Sequence, residues 1–537
     1  MNDYKIIKSG KEAKEALARG ADKLAQPVIS TLGPLSRNVA LNLPYPAPII
    51  LHDGVSVARE IRLQDPFEDM GAVLLKEAAI KTNDLAGDGT TTATLLANTL
   101  IQEGFKLVEG GIVDGVIIGK VNPMLLREKL LEYSDIIIGL LDKKAKKIYE
   151  KKDYKQVAKI SSNSEEIATL VADAIEKVGQ EGLIMVEDSV EFESSLEVKA
   201  GMEFSNGYLS QYFVTDSDRM ICEYSDAYVL VTDYSIADAM QLVPILEKVI
   251  KDNNKPILII ASDIVGPALK SLALTKLKSH AKIIAVMAPE YGDRRKEALE
   301  DIALLTGAVF ISSDLNKKLE DVELKDLGKL SSLLVTQTTC TFTPKYPDSE
   351  EVKDRVNAIA IQIKEETNDF KKGKLEERMA KLSSSVAVIN IGGGSDSEIK
   401  DKHERTIDAV YATKGALAEG IIPGGGVALM AIAAEIKTTK SDAIENLVIA
   451  TLFKPYDQLL ENSGLNISDF KPTENEGVDV INKKQVNMIE VGIVDPVKVV
   501  KSAIRFSFSV AATILTTDYL ISDDLEVNRN IQKVKPV

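Results

Sequence analysis

The stretch NDLAGDGTTTATLLANTL, Asn83–Leu100, decides how this chain is read. Two glycines and three consecutive threonines stand directly before a clean helical run. Neither residue type favours a helix, and a local cost of that kind marks backbone with work to do. The first N–H groups of a helix have no intrahelical partner, and the helix dipole is positive there. Small residues let an anion come close to those amides, and threonine hydroxyls add donors. Gly87-Asp88-Gly89-Thr90-Thr91-Thr92 therefore reads as a phosphate cradle, with Asp88 suited to hold Mg²⁺ beside phosphate oxygens. It is not the GxxxxGK[ST] loop, which the chain lacks. An aspartate cap ahead of an ordinary helix has the same spacing, and local pattern alone leaves both readings open.

Other turns of the same kind lie on either side. STLGPLSRNVAL (Ser30–Leu41) puts Gly-Pro straight after an apolar helix, and HDGVSVARE (His52–Glu60) places a carboxylate and a glycine at a strand-to-helix turn. EGIIPGGGVALM opens a further helix on Gly424-Gly425-Gly426. Each alone is only a glycine-rich turn.

The chain of 537 residues predicts about three domains of ~150 residues each. Residues 10–32, 65–108, 123–148 and 164–178 carry apolar residues at helical spacing. From about 183 the pattern changes to short β-branched runs, GLIMVEDS, AYVLVTD, KPILIIAS and AKIIAVMAP, with amphipathic helical segments near 235–251, 264–278 and 293–306. That is α/β alternation. A charged helical stretch, the strand SVAVINIGG and long helices from 399 to about 462 and from 496 to 516 follow. Helical character at both ends around a β-rich block predicts a helical domain split by an inserted α/β domain.

Net charge is −16, which disfavours nucleic acid and anionic membranes as partners. Aromatics are only 5% and tryptophan is absent, against a sugar-binding or base-stacking surface. Two distant cysteines, Cys222 and Cys340, predict neither a disulfide framework nor a cysteine metal site, and fit a reducing cytosol. Neither an N-terminal secretory signal nor an apolar run long enough to span a bilayer is read in the sequence.

Taken together and in this order, TLGPxxRNVxL, DGVSVAREI, AGDGTTTAT and GGGVAL resemble the type I chaperonin family, the GroEL-like proteins. ISSNSEEIATLVADAIEKVGQEGLIMVEDS, GMEFSNGYLSQYF, GDRRKEALEDIALLTGA, KLEERMAKL and MIEVGIVDPVKV extend the resemblance over about residues 5–520. It implies a multidomain α and α/β subunit. The mainly helical equatorial domain would be 1–143 plus 419–537, the small intermediate hinge domain 144–199 plus 387–418, and the inserted α/β apical domain 200–386. It also implies a seven-membered homo-oligomeric ring that a GroES-like co-chaperonin would close. The ring would enclose non-native polypeptide and run on ATP with Mg²⁺ and K⁺.

Carried over by motif, Thr31, Leu32, Gly33 and Pro34 would meet the phosphates and base edge, with Asp53 and Gly54 beside the γ-phosphate. Asp88 would hold Mg²⁺, and Gly89, Thr90, Thr91 and Thr92 would bind phosphate. Ile160, Ser161, Gly425, Ile493 and Asp495 would line adenine and ribose. Asp408, in RTIDAVYATKGA, resembles the family's water-orienting aspartate; by itself it would read as a solvated helix surface. Clients and the co-chaperonin's mobile loop would meet Tyr208, Tyr212, Phe213, Val243, Leu246, Leu269, Ala273 and Leu274. By spacing alone those stripes read as core.

The chain departs from the family at several points. His52 stands where lysine is usual, so a permanent cation becomes a group largely neutral at pH 7. Ser383-Ser384-Ser385 replaces a hinge glycine pair, although Gly201 remains at the other hinge. Asp479, Val480 and Ile481 replace a small polar adenine-side segment. Gly111–Gly119 is an extra stretch that reads as a hairpin around Asp114-Gly115. The family's ring–ring arginine–glutamate pair falls on Asp457 and Asn466, which cannot form it, so ring pairing is expected to be weakened, absent or rebuilt. A passive holdase or scaffold with weak ATP turnover is the alternative function. A metabolic ATP-dependent transferase would need a small-molecule site, for which the sequence offers no candidate.

Overall fold

The computed structural model describes residues 4–42, 49–51, 54–113, 116–118, 120–180, 182–189, 191–217, 219–315, 317–346, 350–365, 369–382, 385–437 and 442–523. The chain divides into two compact units, Met1–Ala172 with Gly393–Val537, and Asp173–Gly392.

The first unit is a bundle of long helices. Gly10–Ile29, Pro66–Ala86, Thr90–Glu109, Pro123–Lys144, Ala443–Asn462 and Val497–Leu515 share one core containing Leu17, Leu24, Leu75, Leu96, Leu100, Leu126 and Phe508. Their starts follow from local chemistry. Asp65 accepts hydrogen bonds from the N–H groups of Phe67 and Glu68, and Asn122 does the same for Met124 and Leu125. In each case a proline follows at the first helical position, where no N–H is required.

Helices Gly10–Ile29 and Pro66–Ala86 cross at backbone contact. A Cβ on Gly20 would lie 1.8 Å from the Glu68 carbonyl oxygen, and one on Gly71 would lie 2.2 Å from that of Leu17. Glu68, buried at the crossing, accepts from Arg19 Nε at 3.0 Å and from Lys23 Nζ. The bonds from Lys23 and then Arg19 hold its carboxyl below the usual range. Gly20→Ala is expected to push these helices apart and to cost about 2 kcal/mol or more, as overpacking does, without altering exposed sites. Chemical denaturation of the variant checks this.

Short ribbons decorate the bundle. Lys5–Ser9 pairs antiparallel with Tyr519–Asp523, tying the two ends of the described chain together. Val39–Leu41 pairs with Ile49–Leu51, Ile421–Pro423 with Val494–Pro496, and Glu476–Asp479 with Lys484–Asn487. The extra stretch does form a hairpin backbone, Gly111–Val113 against Val116–Ile118. Its tip, Asp114-Gly115, lies outside the described residues.

The second unit is α/β. Its six-stranded sheet runs in the order Ile283–Met287, Ile257–Ala261, Cys222–Val231, Gly328–Val335, Cys340–Pro344, Met202–Phe204. The first three strands are parallel and the rest antiparallel. Ile257–Ala261 is buried along its whole length, which explains its continuous apolar run. Helices Val243–Lys251, Gly266–Ser279, Asp293–Thr306, Glu350–Glu365 and Asp369–Leu382 belong to the same unit. A second sheet places Ser385–Ile391 between Leu183–Asp188 and Ser195–Ala200. Ser383 and Ser384 lie outside the described residues, and Ser385 begins the central strand. Gly201 joins the two sheets where a Cβ would lie 2.4 Å from Val386 and 2.9 Å from the Phe342 carbonyl oxygen.

Candidate functional site

The glycine–threonine motif is a tight link between two helices. Pro66–Ala86 ends on Gly87 in the left-handed conformation, φ 69°, with its N–H bonded to the Asn83 carbonyl at 2.7 Å. Gly89, φ 84°, then caps Thr90–Glu109 with no side-chain cap bond. Two left-handed residues so close together explain both glycines. Asp88 is not an ordinary helix cap. One carboxylate oxygen accepts from Gly89 N–H at 2.5 Å, and the other accepts from Ser161 Oγ at 3.1 Å. The first-turn amides of Thr90–Glu109 are thus left without a side-chain cap, with Asp88 beside them.

Two separated segments converge on Thr91. Thr31 Oγ1 lies 3.4 Å from Thr91 Oγ1, and a Cβ on Gly54 would lie 2.2 Å from the same atom. Gly54 begins helix Gly54–Glu60; His52 and Asp53 lie outside the described residues. The turn Thr31-Leu32-Gly33-Pro34 closes helix Gly10–Ile29, with Thr31 Oγ1 donating to the Val28 carbonyl at 2.7 Å. Gly33 has φ 91°, and a Cβ there would strike Leu459 at 2.4 Å. The chain is therefore glycine where backbone must approach Thr91 or the helix Ala443–Asn462.

Asp495 faces this cradle from Val494–Pro496, opposite Ile422 in the ribbon. A Cβ on Gly424 would lie 3.1 Å from Asp495 Oδ1, and Gly424 N–H donates to the Ile493 carbonyl at 3.0 Å. Gly425 and Gly426 are both left-handed and open helix Val427–Ile436 against Met488 and Tyr456. Desolvation, and then the charge of Asp88, push the Asp495 carboxyl up to about 7. Two carboxylates that repel one another beside uncapped amides are suited to a divalent cation carrying phosphate. Among the described residues, no group of three or more His, Cys, Asp or Glu side chains could hold a metal ion. A magnesium ion here would take most of its ligands from phosphate and water, as that ion commonly does.

Helix Asp396–Glu419 brings Asp408 to the same unit, half-buried. One turn on, Tyr411 abuts the motif: a Cβ on Gly87 would lie 2.3 Å from Tyr411 Cβ. On the same face, a Cβ on Gly415 would lie 3.5 Å from Lys498 Cβ. Asp408 is thus carried by a helix docked on the Gly87–Gly89 link. Ile160 is exposed beside Ser161, and Ile493 is half-buried, with its N–H on the Met488 carbonyl. In the departing segment, Asp479 folds into its own turn, accepting from the N–H groups of Ile481 and Asn482. Val480 is buried with Tyr456, Leu460 and Met488, while Ile481 is exposed. Tyr411, Leu459 and Met488 were not legible as site neighbours, because only the positive-φ glycines facing them call for a close partner.

In the second unit the apolar stripes split by exposure. Tyr208, Phe213, Leu246 and Ala273 are buried, and Val243 and Leu269 are half-buried. Tyr212 and Leu274 are 63% and 52% exposed, joined by Met240 at 68% and Leu277 at 54%. The elements carrying them adjoin, helix Gly266–Ser279 meeting both Gln211–Phe213 and Ala239–Leu242. Lys276 Nζ, its pKa lowered by burial, donates to the Phe213 carbonyl and pins the segment that presents Tyr212.

A helical unit built around a glycine–threonine link between two long helices, together with an α/β unit, defines a chaperonin-type fold. The chain belongs to the TCP-1/cpn60 chaperonin family, whose profile matches residues 24–524. It is 41% identical over 538 aligned positions to the chaperonin GroEL of Acholeplasma laidlawii (strain PG-8A), covering 98% of each chain. The chaperonin gp146 of bacteriophage EL 2 (Pseudomonas aeruginosa), crystallised in the presence of ATP-BeFx, has the same fold. In one crystal form the TM-score is 0.64 at 22% identity, covering 97% of this chain and 99% of gp146. In another it is 0.60 at 22% identity, covering 96% and 99%. No helix among the described residues is long and apolar enough to cross a membrane.

Proposed function

We propose that this chain is the ATP-hydrolysing subunit of a ring-forming folding chamber, with equatorial residues 1–143 and 419–537, intermediate residues 144–199 and 387–418, and apical residues 200–386. The carrying observation is the convergence of Thr31, Gly54 and Thr91 beside Asp88 and Asp495. The amides and hydroxyls of residues 89–92 receive phosphate oxygens, and the Thr31–Pro34 turn closes over them from the other side. Asp88, oriented by Gly89 N–H and Ser161 Oγ, is the magnesium ligand. Bound Mg²⁺ and K⁺ supply the charge neutralisation that phosphoryl transfer demands. Ile160, Ser161, Gly425, Ile493 and Asp495 surround the nucleoside. Asp408 orients the attacking water, which leaves little else for the protein to do beyond positioning. Asp53, outside the described residues, is assigned to the γ-phosphate by its match to the family's DGVSVAREI motif alone.

Client capture falls to the exposed apolar surface around Tyr212, Met240, Leu274 and Leu277, with Val243 and Leu269 at its edge. Such a patch is sticky towards unfolded chains and towards a co-chaperonin loop alike. The cytoplasm is the proposed compartment. Two buried free thiols, Cys222 and Cys340, suit it.

Ring assembly is supported by the terminal ribbon. A two-stranded sheet is marginal alone, and this one turns Ile7, Tyr519 and Ile521 to solvent on one face. Ile521→Asp is expected to raise the concentration at which rings dissociate about tenfold or more. The fold of the subunit should be untouched, since the residue is exposed. Native mass spectrometry over a dilution series reads this. The hairpin at 111–118 and the loss of the usual pair at Asp457 and Asn466 favour a ring stack that differs from the usual double ring.

Titration calorimetry with ATP and magnesium tests the core of the reading. Saturable uptake is expected, and its absence would sink the proposal. A chain that binds nucleotide but turns it over only marginally would instead be a holdase or scaffold.

A further inference from the structure

The turn Thr31–Pro34 must keep its shape for the cradle to exist, yet it lies past the end of a helix, where carbonyls lose their intrahelical donors. One side chain meets two carbonyls there, those of Ile29, which also accepts from Leu32 N–H at 3.1 Å, and Leu32. Asn462, the last residue of helix Ala443–Asn462, donates through Nδ2 to the Ile29 carbonyl and to the Leu32 carbonyl, each at 3.0 Å. Its remaining oxygen accepts from Gln458 Nε2, one turn back, at 3.0 Å. Both partners of the nitrogen are acceptors and the partner of the oxygen is a donor, so only one orientation of the amide satisfies the set. Beside it, Leu459 occupies the space that a side chain at Gly33 would need. The turn is thus braced from a helix 430 positions along the chain.

We propose that Asn462 is a positioning residue for the phosphate-side turn, fixing Thr31 against Thr91 through the carbonyls of Ile29 and Leu32. It touches neither nucleotide nor reacting atoms. Asparagine is required rather than merely tolerated. Leucine has the volume but no donor, and aspartate turns a carboxylate on two carbonyl oxygens. A protonated aspartate regains one O–H donor, so its defect is expected to ease as the pH falls.

The inference rests on the proposed nucleotide site for its consequence, but not for its test. In nucleotide-free protein, Asn462→Leu is expected to speed hydrogen exchange of the amides in residues 31–37 about tenfold or more, with helix Thr90–Glu109 unaffected. Unchanged exchange in residues 31–37 would overturn the proposal whether or not the wild type binds ATP. Where ATP is turned over, KM is expected to rise about tenfold in Asn462→Leu while kcat changes less than threefold. In Asn462→Asp the KM defect should shrink between pH about 8 and about 5.5, relative to wild type and to Asn462→Leu. Equal, pH-independent defects in the two variants would mean that only packing was lost, and would also overturn it.

Discussion

Alanine at position 408 is expected to cut steady-state ATP turnover about 100-fold or more, leaving nucleotide affinity within about threefold of wild type. The split follows from where the carboxylate sits. Asp408 lies on helix Asp396–Glu419, one turn before the tyrosine that abuts Gly87, so it is carried by an element separate from the proposed phosphate-binding link. The groups that would hold the triphosphate, residues 89–92 and the turn at Thr31, belong to other elements and are untouched. Removing a water-orienting group costs the transition state and not the ground state, so kcat falls and binding stays. Alanine favours helix, so helix Asp396–Glu419 is expected to persist in the variant, which the calorimetric affinity also reports. Turnover measured with coupled phosphate release, beside calorimetric affinity, gives both numbers. Equal losses in both would move Asp408 into the binding set. No loss in either would remove it from the mechanism and favour the holdase.

Much of the architecture was legible because it is periodic. Helices such as Gly10–Ile29 and Val497–Leu515 declare an apolar stripe, and strands such as Ile257–Ala261 an unbroken apolar run. The candidate site was proposed in kind from glycines and threonines ahead of a helix, and residue by residue only from family likeness. Contacts that join distant segments were not. The pairing of Lys5–Ser9 with Tyr519–Asp523 spans nearly the whole chain, and neither strand carries a mark of its partner. Tyr411, Leu459 and Asn462 look like ordinary helix residues; what assigns them is the space denied to Gly87 and Gly33 and the carbonyls of Ile29 and Leu32. Exposure was equally hidden. The same apolar spacing leaves Phe213 and Leu246 buried but Tyr212 and Leu274 in solvent, because spacing records a stripe and not what covers it.

Asp495→Asn should stabilise the nucleotide-free protein and weaken magnesium–ATP binding at the proposed site, two effects of opposite sign from one charge. Asp495 sits where desolvation and Asp88 raise its carboxyl from 3.8 to about 7. An acid whose pKa is higher when folded binds more protons in the folded state between those values, so stability falls as pH rises from about 4 to about 7 and stays low above. At 1.36 kcal/mol per pH unit the cost at pH 8 has a ceiling of about 4 kcal/mol, and about 2–3 kcal/mol once partial solvent access is allowed for. Asparagine keeps the shape and cannot ionise. The thermal midpoint of the nucleotide-free variant should therefore exceed that of wild type at pH 8, and the gap should close towards pH 4. The same change removes a negative charge beside the proposed cation ligand, so magnesium–ATP affinity is expected to fall about tenfold or more. A midpoint difference that does not vary with pH would show that Asp495 carries no such strain. A pH-dependent midpoint with unchanged affinity would confine the residue to the fold and take it out of the site.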